Sequence, residues 1–406
     1  MASAINWIGR LFAPTRFPIP PIQDELNPMK AIVVKKHGPP EVLEYVDFPT
    51  PHPQHGSKQV VVDIVAAGIN PVDFKLRKGP IADFLYPKPK VVGADMAGIV
   101  SFAPEGSRFK KGQRVFAMLP FLSVQYGSYA EKCCVDEDIL ALAPSNYPLV
   151  DVASIPLVAT TVVQALRPVK DAYKENIKGK RIFITSGSGG LGTFAIQYCA
   201  KELGMYVATA CSPKNFEFLK SLGANETIDY KTVKFEDYIA NYDVVLDPMG
   251  YQNEEIVLYS GKPILKPSTA DNPSFYLRIA SSPYGEHNSH LHLSPDPLGM
   301  AIPEARLDRM ITSFSKQFVS NVFHWLPNGI RYYFVLVSSE KQALEEVCQA
   351  MEKGNIRPII QEKIPLQEAA RAHHLLEEGH VVGKIVLVVN DSIDVNPSNS
   401  LSSQQK

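Results

Sequence analysis

The sequence predicts an α/β protein with two parts, a β-rich region followed by a doubly wound parallel sheet. From Met29, short apolar strands are separated by Pro and Gly clusters, and after about Asp151 strands alternate with helical patterns. The third observation is a glycine-rich turn between a strand and a helix, within 181–203. With 406 residues, 45% of them hydrophobic, the chain is long enough for more than one domain.

The β-rich region is expected to span 29–153 and to be completed by 338–390. Its predicted strands are 30–35, 44–48, 59–68, 91–101, 114–118 and 126–135. In the returning segment the apolar spacing predicts a helix carrying Leu344, Val347 and Met351, followed by a strand at 357–360, a helix at 366–378 and a strand at 385–389.

The parallel sheet is expected within 154–337. Its predicted strands are 181–185, 206–210, 227–228, 244–247, 275–280 and 332–337, and the clearest helical patterns lie at 193–203 and 214–222. Alternation of strands and helices implies parallel pairing with helices on both faces of the sheet.

The glycine-rich turn predicts a nucleotide site. It consists of Ser186, Gly187, Ser188, Gly189, Gly190, Leu191 and Gly192. Because a helix N-terminus presents unpaired N–H groups, a turn that joins a buried strand to a helix is suited to a pyrophosphate. We expect Ser186 and Gly187 to allow the turn, Gly189 and Gly190 to let the backbone approach the phosphates, and Gly192 to let the helix pack closely on the strand.

Composition and charge exclude several classes of partner. The formal net charge of −1 gives no basic excess, which argues against nucleic acid and anionic membrane surfaces. The five cysteines show neither metal-type spacing nor a disulfide framework, which is typical of a reducing compartment. No apolar run is long enough to cross a bilayer, so we expect a soluble protein that acts on a small molecule.

Three segments differ from the rest of the chain. In 1–28, Arg10 and Arg16 have no opposing acid before Asp24, which is typical of a mitochondrial-type presequence, an interfacial helix or an extension without regular structure. The location is accordingly expected to be cytoplasmic or mitochondrial. The Ser/Asn/Gln-rich segment 391–406 predicts a disordered tail. The segment 281–303 is interpreted as a solvated loop, because no thiol or carboxylate set accompanies its histidines, His287, His290 and His292.

Several motifs together resemble the medium-chain dehydrogenase/reductase superfamily, and within it the zinc-free quinone oxidoreductase branch. The resemblance runs from about Met29 to Asn390, and its last part is similar to a mitochondrial subfamily and its plastid-envelope relatives. Besides the glycine turn, it is carried by Ala-Gly-Ile-Asn-Pro-Val-Asp73, Val-Gly-Ala-Asp-Met-Ala-Gly98, Lys-Gly-Gln-Arg-Val115, Tyr-Gly-Ser-Tyr-Ala-Glu131, Leu-Gly-Ala-Asn-Glu-Thr-Ile-Asp-Tyr230 and Gly-Lys-Ile-Val386. It implies a GroES-like β-rich catalytic domain and a Rossmann-type cofactor domain.

The resemblance also implies catalysis without a metal. Zinc-dependent members bind their catalytic ion through Cys and His-Glu positions, where this chain carries Asn70 and Ala94-Asp95. These side chains lack the thiolate and imidazole ligands that tetrahedral zinc prefers. We therefore expect no metal site.

The residues after the second strand of the parallel sheet predict NADPH as the cofactor. An NAD site usually has Asp or Glu there to bind the ribose 2′-hydroxyl, whereas this chain has Cys211, Ser212, Pro213 and Lys214. Ser212 can donate to a 2′-phosphate and Lys214 can neutralise it, although Lys214 is also interpretable as a surface lysine at a helix start. The resemblance adds Tyr230 against the phosphate. We also expect Asp247, Gly383 and Lys384 to contribute to cofactor binding.

For catalysis, the resemblance indicates Asn70, Asp73, Lys75 and Thr161. Asn70 is expected to hydrogen-bond either a substrate carbonyl or the nicotinamide ribose, and Thr161 to approach the nicotinamide ring. Lys75 stands where quinone reductases often have tyrosine, so the proton donor is a lysine, a water or solvent. Asp73 is interpreted either as catalytic or as the carboxylate that organises its own turn.

The sequence thus predicts an NADPH-dependent, zinc-free reductase that transfers a hydride to a quinone or an α,β-unsaturated carbonyl. Two alternatives stay open, an enoyl-thioester reductase and a nucleotide-bound scaffold with little turnover. A homodimer paired along the predicted edge strand 332–337 is also expected.

Overall fold

The structure is a computed structural model that describes residues 22–79, 89–120, 126–250, 252–279 and 329–394. The histidine segment 281–303, the first 21 residues and the last 12 lie outside the described residues. Within the described part, the chain divides into two compact units. We call the unit formed by 22–160 and 337–394 the β-rich unit, and the unit formed by residues between 161 and 336 the parallel-sheet unit.

Elements follow one another along the chain in three groups. The first group comprises β1 (Ile22–Val34), β2 (Leu43–His52), β3 (Gln59–Gly68), α1 (Pro71–Lys78), β4 (Lys90–Val91), β5 (Asp95–Phe102), β6 (Arg114–Met118), β7 (Lys132–Asp136), β8 (Ala141–Leu142), α2 (Leu149–Val152) and α3 (Pro156–Tyr173). The second comprises β9 (Arg181–Ile184), α4 (Gly190–Gln197), β10 (Tyr206–Cys211), α5 (Phe216–Leu222), β11 (Glu226–Asp229), β12 (Val244–Asp247), α6 (Gln252–Tyr259), β13 (Phe275–Ile279) and β14 (Arg331–Val335). The third comprises α7 (Lys341–Glu352), β15 (Ile360–Pro365), α8 (Ala369–Glu377) and β16 (Lys384–Val388).

In the β-rich unit, the described strands form two sheets. The larger sheet has the order β15-β16-β3-β5-β6-β8, with β7 also paired to β3, and the smaller has the order β2-β1-β4. Strand β3 is antiparallel to both β16 and β5, so the end of β3 meets the starts of its two neighbours. Gly68 at the end of β3, Asp95 at the start of β5 and Lys384 at the start of β16 therefore lie at the same edge of the sheet.

The parallel-sheet unit confirms the doubly wound fold class. Its described strands are all parallel and have the order β11-β10-β9-β12-β13-β14. The order reverses between β9 and β12, which are neighbours in the sheet but distant in the chain. In open sheets of this type, ligands bind at the carboxyl ends of the strands where the order reverses.

Each unit has its own apolar core. In the parallel-sheet unit, Phe183, Val245 and Tyr276 lie on neighbouring strands and pack with Ile228 and Leu258. In the β-rich unit, one core cluster includes Ile32 and Val34 of β1 together with Ala369 and Ala372 of α8. Among the described residues, no helix combines the length and the apolar character that a bilayer crossing requires.

Burial raises the pKa of all five cysteine thiols. Each is a free thiol, and Cys133, Cys199 and Cys211 are buried while Cys134 and Cys348 are partly exposed. Removal from water disfavours the thiolate, which raises the pKa of Cys134 to about 12 and those of Cys211 and Cys348 to about 11. Burial raises the thiol pKa of Cys133 and Cys199 further.

Some sequence predictions of secondary structure were wrong. The strand predicted at 357–360 is absent, and β15 instead begins at Ile360, because Pro358 cannot donate to a sheet ladder. The strand predicted at 91–101 is interrupted where Gly93 adopts φ +102°. Helix α3 was missed, since Pro168 lies inside it and proline in a helix interior removes a backbone hydrogen bond.

Candidate cofactor and active sites

The glycine turn lies at the carboxyl end of β9, where the order of the parallel strands reverses. The N–H of Gly187 donates to the Ala210 carbonyl at 3.0 Å, which fixes the turn against β10. Helix α4 begins at Gly190, three residues earlier than predicted, so its first N–H groups belong to the turn itself. Orphan N–H groups at a helix start, next to a reversal of strand order, form the geometry expected for a pyrophosphate site.

The structure shows what the individual glycines do. A Cβ at Gly192 would lie 2.7 Å from the Gly187 carbonyl carbon and closer still to the Ser186 carbonyl oxygen. A Cβ at Gly187 would lie 2.8 Å from Thr209 Cγ2. At Gly189 the nearest atom would be Ser186 Oγ, 3.9 Å away. Gly192 and Gly187 are therefore required by internal packing, whereas Gly189 leaves open space for a ligand.

Asp247 is buried at the carboxyl end of β12 and is occupied by internal hydrogen bonds. Its Oδ1 accepts from Thr185 Oγ1 at 2.6 Å, from the Met249 N–H at 3.0 Å and from Asn253 Nδ2 at 3.2 Å. Its Oδ2 accepts from the Tyr276 hydroxyl. The carboxylate thus ties β9, β12 and β13 together at this edge, which suits a residue that shapes the cofactor site rather than one that contacts the cofactor directly.

At the end of β10, the residues predicted to select the cofactor lie close together. Ser212 Oγ is 3.5 Å from the Tyr230 hydroxyl, and Tyr230 is 55% exposed. Lys214 follows on the surface, and no described carboxylate lies within ion-pairing distance of its ammonium. The nearby carboxylate of Asp229 is engaged in its own turn, accepting from Thr232 Oγ1 at 2.9 Å. The structure therefore places two hydroxyls together here, with the exposed Lys214 two residues after Ser212 in the chain.

In the β-rich unit, Asn70 caps α1 and is fully buried. Pro71 occupies the first helical position, and the Asp73 carboxylate accepts the Asn70 N–H at 2.8 Å. The Asn70 carboxamide is held at both ends, because Nδ2 donates to Asp95 Oδ2 at 2.9 Å and Oδ1 accepts from Lys384 Nζ. A second Nδ2 contact, to the Gly68 carbonyl at 3.5 Å, is at the limit of hydrogen-bond length.

Lys384 lies in this cluster and not in the parallel-sheet unit where the glycine turn is. Gly383, just before it, has φ +75°, and a Cβ there would collide with the Ile359 backbone. The turn at Gly383 thereby places the Lys384 side chain among the buried groups at this edge of the sheet. Burial lowers the pKa of Lys384 and raises that of Asp95, and their mutual attraction opposes both shifts.

Asp73 belongs to a second chain of buried groups. Its Oδ2 also accepts from the Tyr129 hydroxyl at 3.1 Å, and that hydroxyl lies 3.4 Å from His373 Nε2. Burial raises the pKa of Asp73 to about 7 and lowers that of His373 to about 3. The capping bond to Asn70 supports the interpretation of Asp73 as the organiser of its turn.

Lys75 and Thr161 complete the predicted set. Lys75 is partly buried on α1, and burial lowers its pKa to about 8. Thr161 is buried on α3, in the part of the chain assigned to the parallel-sheet unit. Asn70, Asp73 and Lys384 are thus brought into one cluster, and Ser212 and Tyr230 into another.

Sequence reasoning missed several members of these clusters. Asp95 and Tyr129 stood within motifs that carried the family resemblance, but a hydrogen-bonding role could not be read from their positions alone. His373 and Tyr276 gave no signal, because a lone histidine or tyrosine within an apolar pattern usually reflects packing. In the part of the chain that the structure describes, no group of three His, Cys, Asp or Glu side chains is arranged to hold a metal ion.

Known proteins resemble this chain along most of its length. The family description "Alcohol dehydrogenase GroES-like domain" matches residues 56–145, and "Zinc-binding dehydrogenase" matches residues 288–387. Both matched descriptions, together with the relatives below, make the chain similar to members of the medium-chain dehydrogenase/reductase superfamily. Its fold is accordingly a GroES-like domain combined with a Rossmann-type domain.

Individual relatives lie in the branch that the motifs indicated. The mitochondrial NAD(P)H oxidoreductase RTN4IP1 of Danio rerio is 29% identical over 378 residues, which cover 89% of this chain and 91% of that protein. A chloroplast envelope quinone oxidoreductase homolog of Arabidopsis thaliana is 29% identical over 85% of this chain and 93% of its own length. The solved structure of the quinone oxidoreductase from Coxiella burnetii has a TM-score of 0.68 and 27% identity, and covers 89% of this chain and 100% of that chain.

Proposed function

We propose that this protein is an NADPH-dependent oxidoreductase that reduces a quinone or an α,β-unsaturated carbonyl. The observation that carries the cofactor assignment is the end of β10, where Ser212, Tyr230 and the exposed Lys214 stand in place of a ribose-binding carboxylate. The activity is supported by relatives that are named NAD(P)H oxidoreductase and quinone oxidoreductase.

The residues at the glycine turn fit a dinucleotide. The backbone there is packed tightly onto its neighbours at Gly192 and Gly187, whereas an added Cβ at Gly189 would meet no atom closer than 3.9 Å, so we assign the pyrophosphate to the space beside Gly189. When bound, NADPH supplies the hydride from its nicotinamide ring. Ser186, Ser188 and the N–H groups that open α4 would hold the pyrophosphate, while Lys214 would neutralise the 2′-phosphate.

Asn70 and Lys75 are assigned to the acceptor. Hydride addition to a carbonyl-conjugated carbon leaves negative charge on oxygen, and one hydrogen of Asn70 Nδ2 is held only by the 3.5 Å contact to Gly68. We assign that hydrogen to the acceptor oxygen, or to the nicotinamide ribose, because the bond to Asp95 is kept; since Asn70 is fully buried in the structure, the donation requires the residues that cover it to move when the acceptor binds. Lys75 lies on the helix that Asn70 caps and has a pKa of about 8, so it carries a proton at neutral pH, and we assign it as the proton donor.

Acceptor profiling with purified protein tests the proposal. NADPH oxidation is measured with a panel of quinones, enals and enoyl thioesters, for wild type and for Asn70→Ala. We expect turnover with quinones or enals, and a lower kcat but unchanged NADPH affinity in the variant. Preference for the thioesters would indicate an enoyl-thioester reductase. Tight NADPH binding with no acceptor reduced, and no effect of the variant, would indicate a nucleotide-bound scaffold.

Location and assembly extend the proposal. Arg10 and Arg16 in the N-terminal extension, together with a mitochondrial relative, support an organellar location. The homodimer expected along β14, the last strand in the order of the described parallel sheet, stays a prediction.

A further inference from the structure

The Lys384 ammonium is surrounded by three oxygen atoms at the edge where β3, β5 and β16 meet. It donates to the Ile69 carbonyl at 2.7 Å and to Asn70 Oδ1, and lies 3.5 Å from Asp95 Oδ2. An ammonium has three donors and no acceptor, so this set of partners matches its capacity. The side chain is buried, and no water is needed to complete its hydrogen bonds.

The chemistry of these partners determines which way the Asn70 carboxamide faces. The two ends of an amide have nearly the same shape, and only hydrogen bonding distinguishes them. Because Lys384 can only donate, the atom that faces it must be the Asn70 oxygen. Because an ionised Asp95 can only accept, the atom that faces it must be the Asn70 nitrogen.

Charge neutralisation of Asp95 would be a simpler role for Lys384. The distances argue against it as the main role, since the contact to Asp95 is 3.5 Å long while the bond to Asn70 is much shorter. Asp95 is in addition satisfied by the Leu157 N–H at 2.7 Å and by Asn70 Nδ2 at 2.9 Å.

We propose that Lys384 is a positioning residue that fixes the orientation of the Asn70 carboxamide, so that its N–H rather than its oxygen is presented to the reacting molecule. This inference rests on the proposed function, because the orientation matters only if Asn70 donates to the acceptor or cofactor. It assigns Lys384 to the acceptor side of the reaction instead of to cofactor binding.

A pair of variants separates orientation from neutralisation. Lys384→Met removes the donor but keeps the chain length, and leaves Asp95 buried without its cation. The double variant Lys384→Met/Asp95→Asn removes both charges. The amide introduced at position 95 now offers a donor toward Asn70, so the Asn70 carboxamide is expected to turn its oxygen to that side.

We expect the single variant to lower Tm of the cofactor-free protein by on the order of 10 °C. Removing one partner of a buried ion pair leaves the other charge buried without compensation, which is strongly destabilising. The double variant should recover most of that loss. Its kcat should nevertheless stay at least about 10-fold below wild type, because the polarising donor is reversed. Adding Asn70→Ala to the double variant should have no further effect on kcat.

Two results would overturn the proposal. If the double variant recovers both Tm and kcat, Lys384 is only a counter-ion. If Lys384→Met leaves Tm and kcat at wild-type values, Lys384 does not position the Asn70 carboxamide. Should the double variant fail to fold, Lys384→Ala is assayed with added n-propylammonium, which should restore kcat while tetramethylammonium, having no N–H, should not. Failure of both cations would also overturn the proposal.

Controls keep this test separate from that of the proposed function. Lys363→Met, on the adjacent strand β15, removes a surface ammonium paired with Asp151 at 2.5 Å and should leave Tm and kcat nearly unchanged. If wild type reduces no acceptor, the proposed function fails. The difference in Tm between the single and the double variant of the cofactor-free protein would still be measurable. It would show whether Lys384 and Asp95 interact, independently of any activity.

Discussion

Two glycines of the same turn should respond to the same substitution in opposite ways. Gly192→Ala places a methyl 2.7 Å from the Gly187 carbonyl carbon, where real Cβ atoms essentially never come within 3.0 Å. Gly189→Ala places the same methyl 3.9 Å from its nearest neighbour. Gly189 also has φ −73° and ψ 173°, an extended conformation that alanine adopts without strain.

The size of each effect follows from these contacts. At Gly192 the obstructing atoms are backbone and cannot rotate away, so overpacking should cost about 3 kcal/mol, the upper end of the usual range. That corresponds to a loss of roughly 5–10 °C in Tm. Gly189→Ala should change the stability of the cofactor-free protein by less than about 0.5 kcal/mol. Its methyl would instead occupy the pyrophosphate path, and losing one charge-assisted hydrogen bond weakens NADPH binding at least about 10-fold.

The assay is thermal unfolding of both cofactor-free variants, followed by fluorescence titration with NADPH. The reasoning predicts a low Tm for Gly192→Ala, and a wild-type Tm with weak NADPH binding for Gly189→Ala. Equal Tm values for the two variants would refute the packing argument. Wild-type NADPH affinity in Gly189→Ala would refute the placement of the pyrophosphate.

Four further predictions address cofactor, metal, proton transfer and acid stability. Lys214→Ala should weaken NADPH binding by about 1.5–3 kcal/mol, roughly 10- to 150-fold, and leave NADH binding nearly unchanged. Chelator treatment should alter neither turnover nor Tm. Because Lys75 must be protonated to donate, kcat should fall as pH rises through about 8, and Lys75→Met should lack this dependence. His373 is held neutral in the fold, with its pKa lowered to about 3, so stability should fall as pH drops below about 6.5 towards 3 while the unfolded chain takes up the proton, by up to about 5 kcal/mol. His373→Gln, a neutral side chain whose amide N–H can donate to the Tyr129 hydroxyl, should remove that part of the slope.

Matched controls accompany each of these. Lys220→Ala, an exposed lysine paired with Glu217, should leave NADPH affinity unchanged, and an equal loss in both variants would argue against a specific contact by Lys214. Stoichiometric zinc by elemental analysis would contradict the metal prediction. Lys78→Met, on the same helix as Lys75, should keep the alkaline fall in kcat. An unchanged acid slope in His373→Gln would show that other groups dominate it.

Much of the fold could be predicted because its strands are strongly patterned. The bounds of β3, β6 and β12 coincide with the predicted ranges, since each is a short apolar run between turn residues. Helix α3 could not be predicted locally. Pro168 in its interior signals interruption, and the helix forms because an apolar face, including Val162, Leu166 and Val169, is fully buried.

The candidate sites also differ in how much of each could be predicted from the sequence. The glycine turn and the residues around Ser212 are contiguous in sequence, so their spacing identifies them. The cluster around Asn70 combines the start of α1 with residues of β5 and β16, and Lys384 is 314 positions from Asn70 in the chain. A motif shows that Lys384 follows a turn glycine, but only the antiparallel pairing of β16 with β3 brings it to Asn70.

The shielded cysteines have a consequence for an enzyme with electrophilic substrates. Quinones and enones add to thiolates by conjugate addition, so a protein that handles them risks alkylating itself. With thiol pKa values of about 11 to 12, Cys134, Cys211 and Cys348 are ionised in roughly one molecule in ten thousand or fewer at pH 7. Cys133 and Cys199 are more protected still. The chain should therefore tolerate sustained exposure to its own acceptors, and a single cysteine introduced on the surface would be selectively labelled by maleimides.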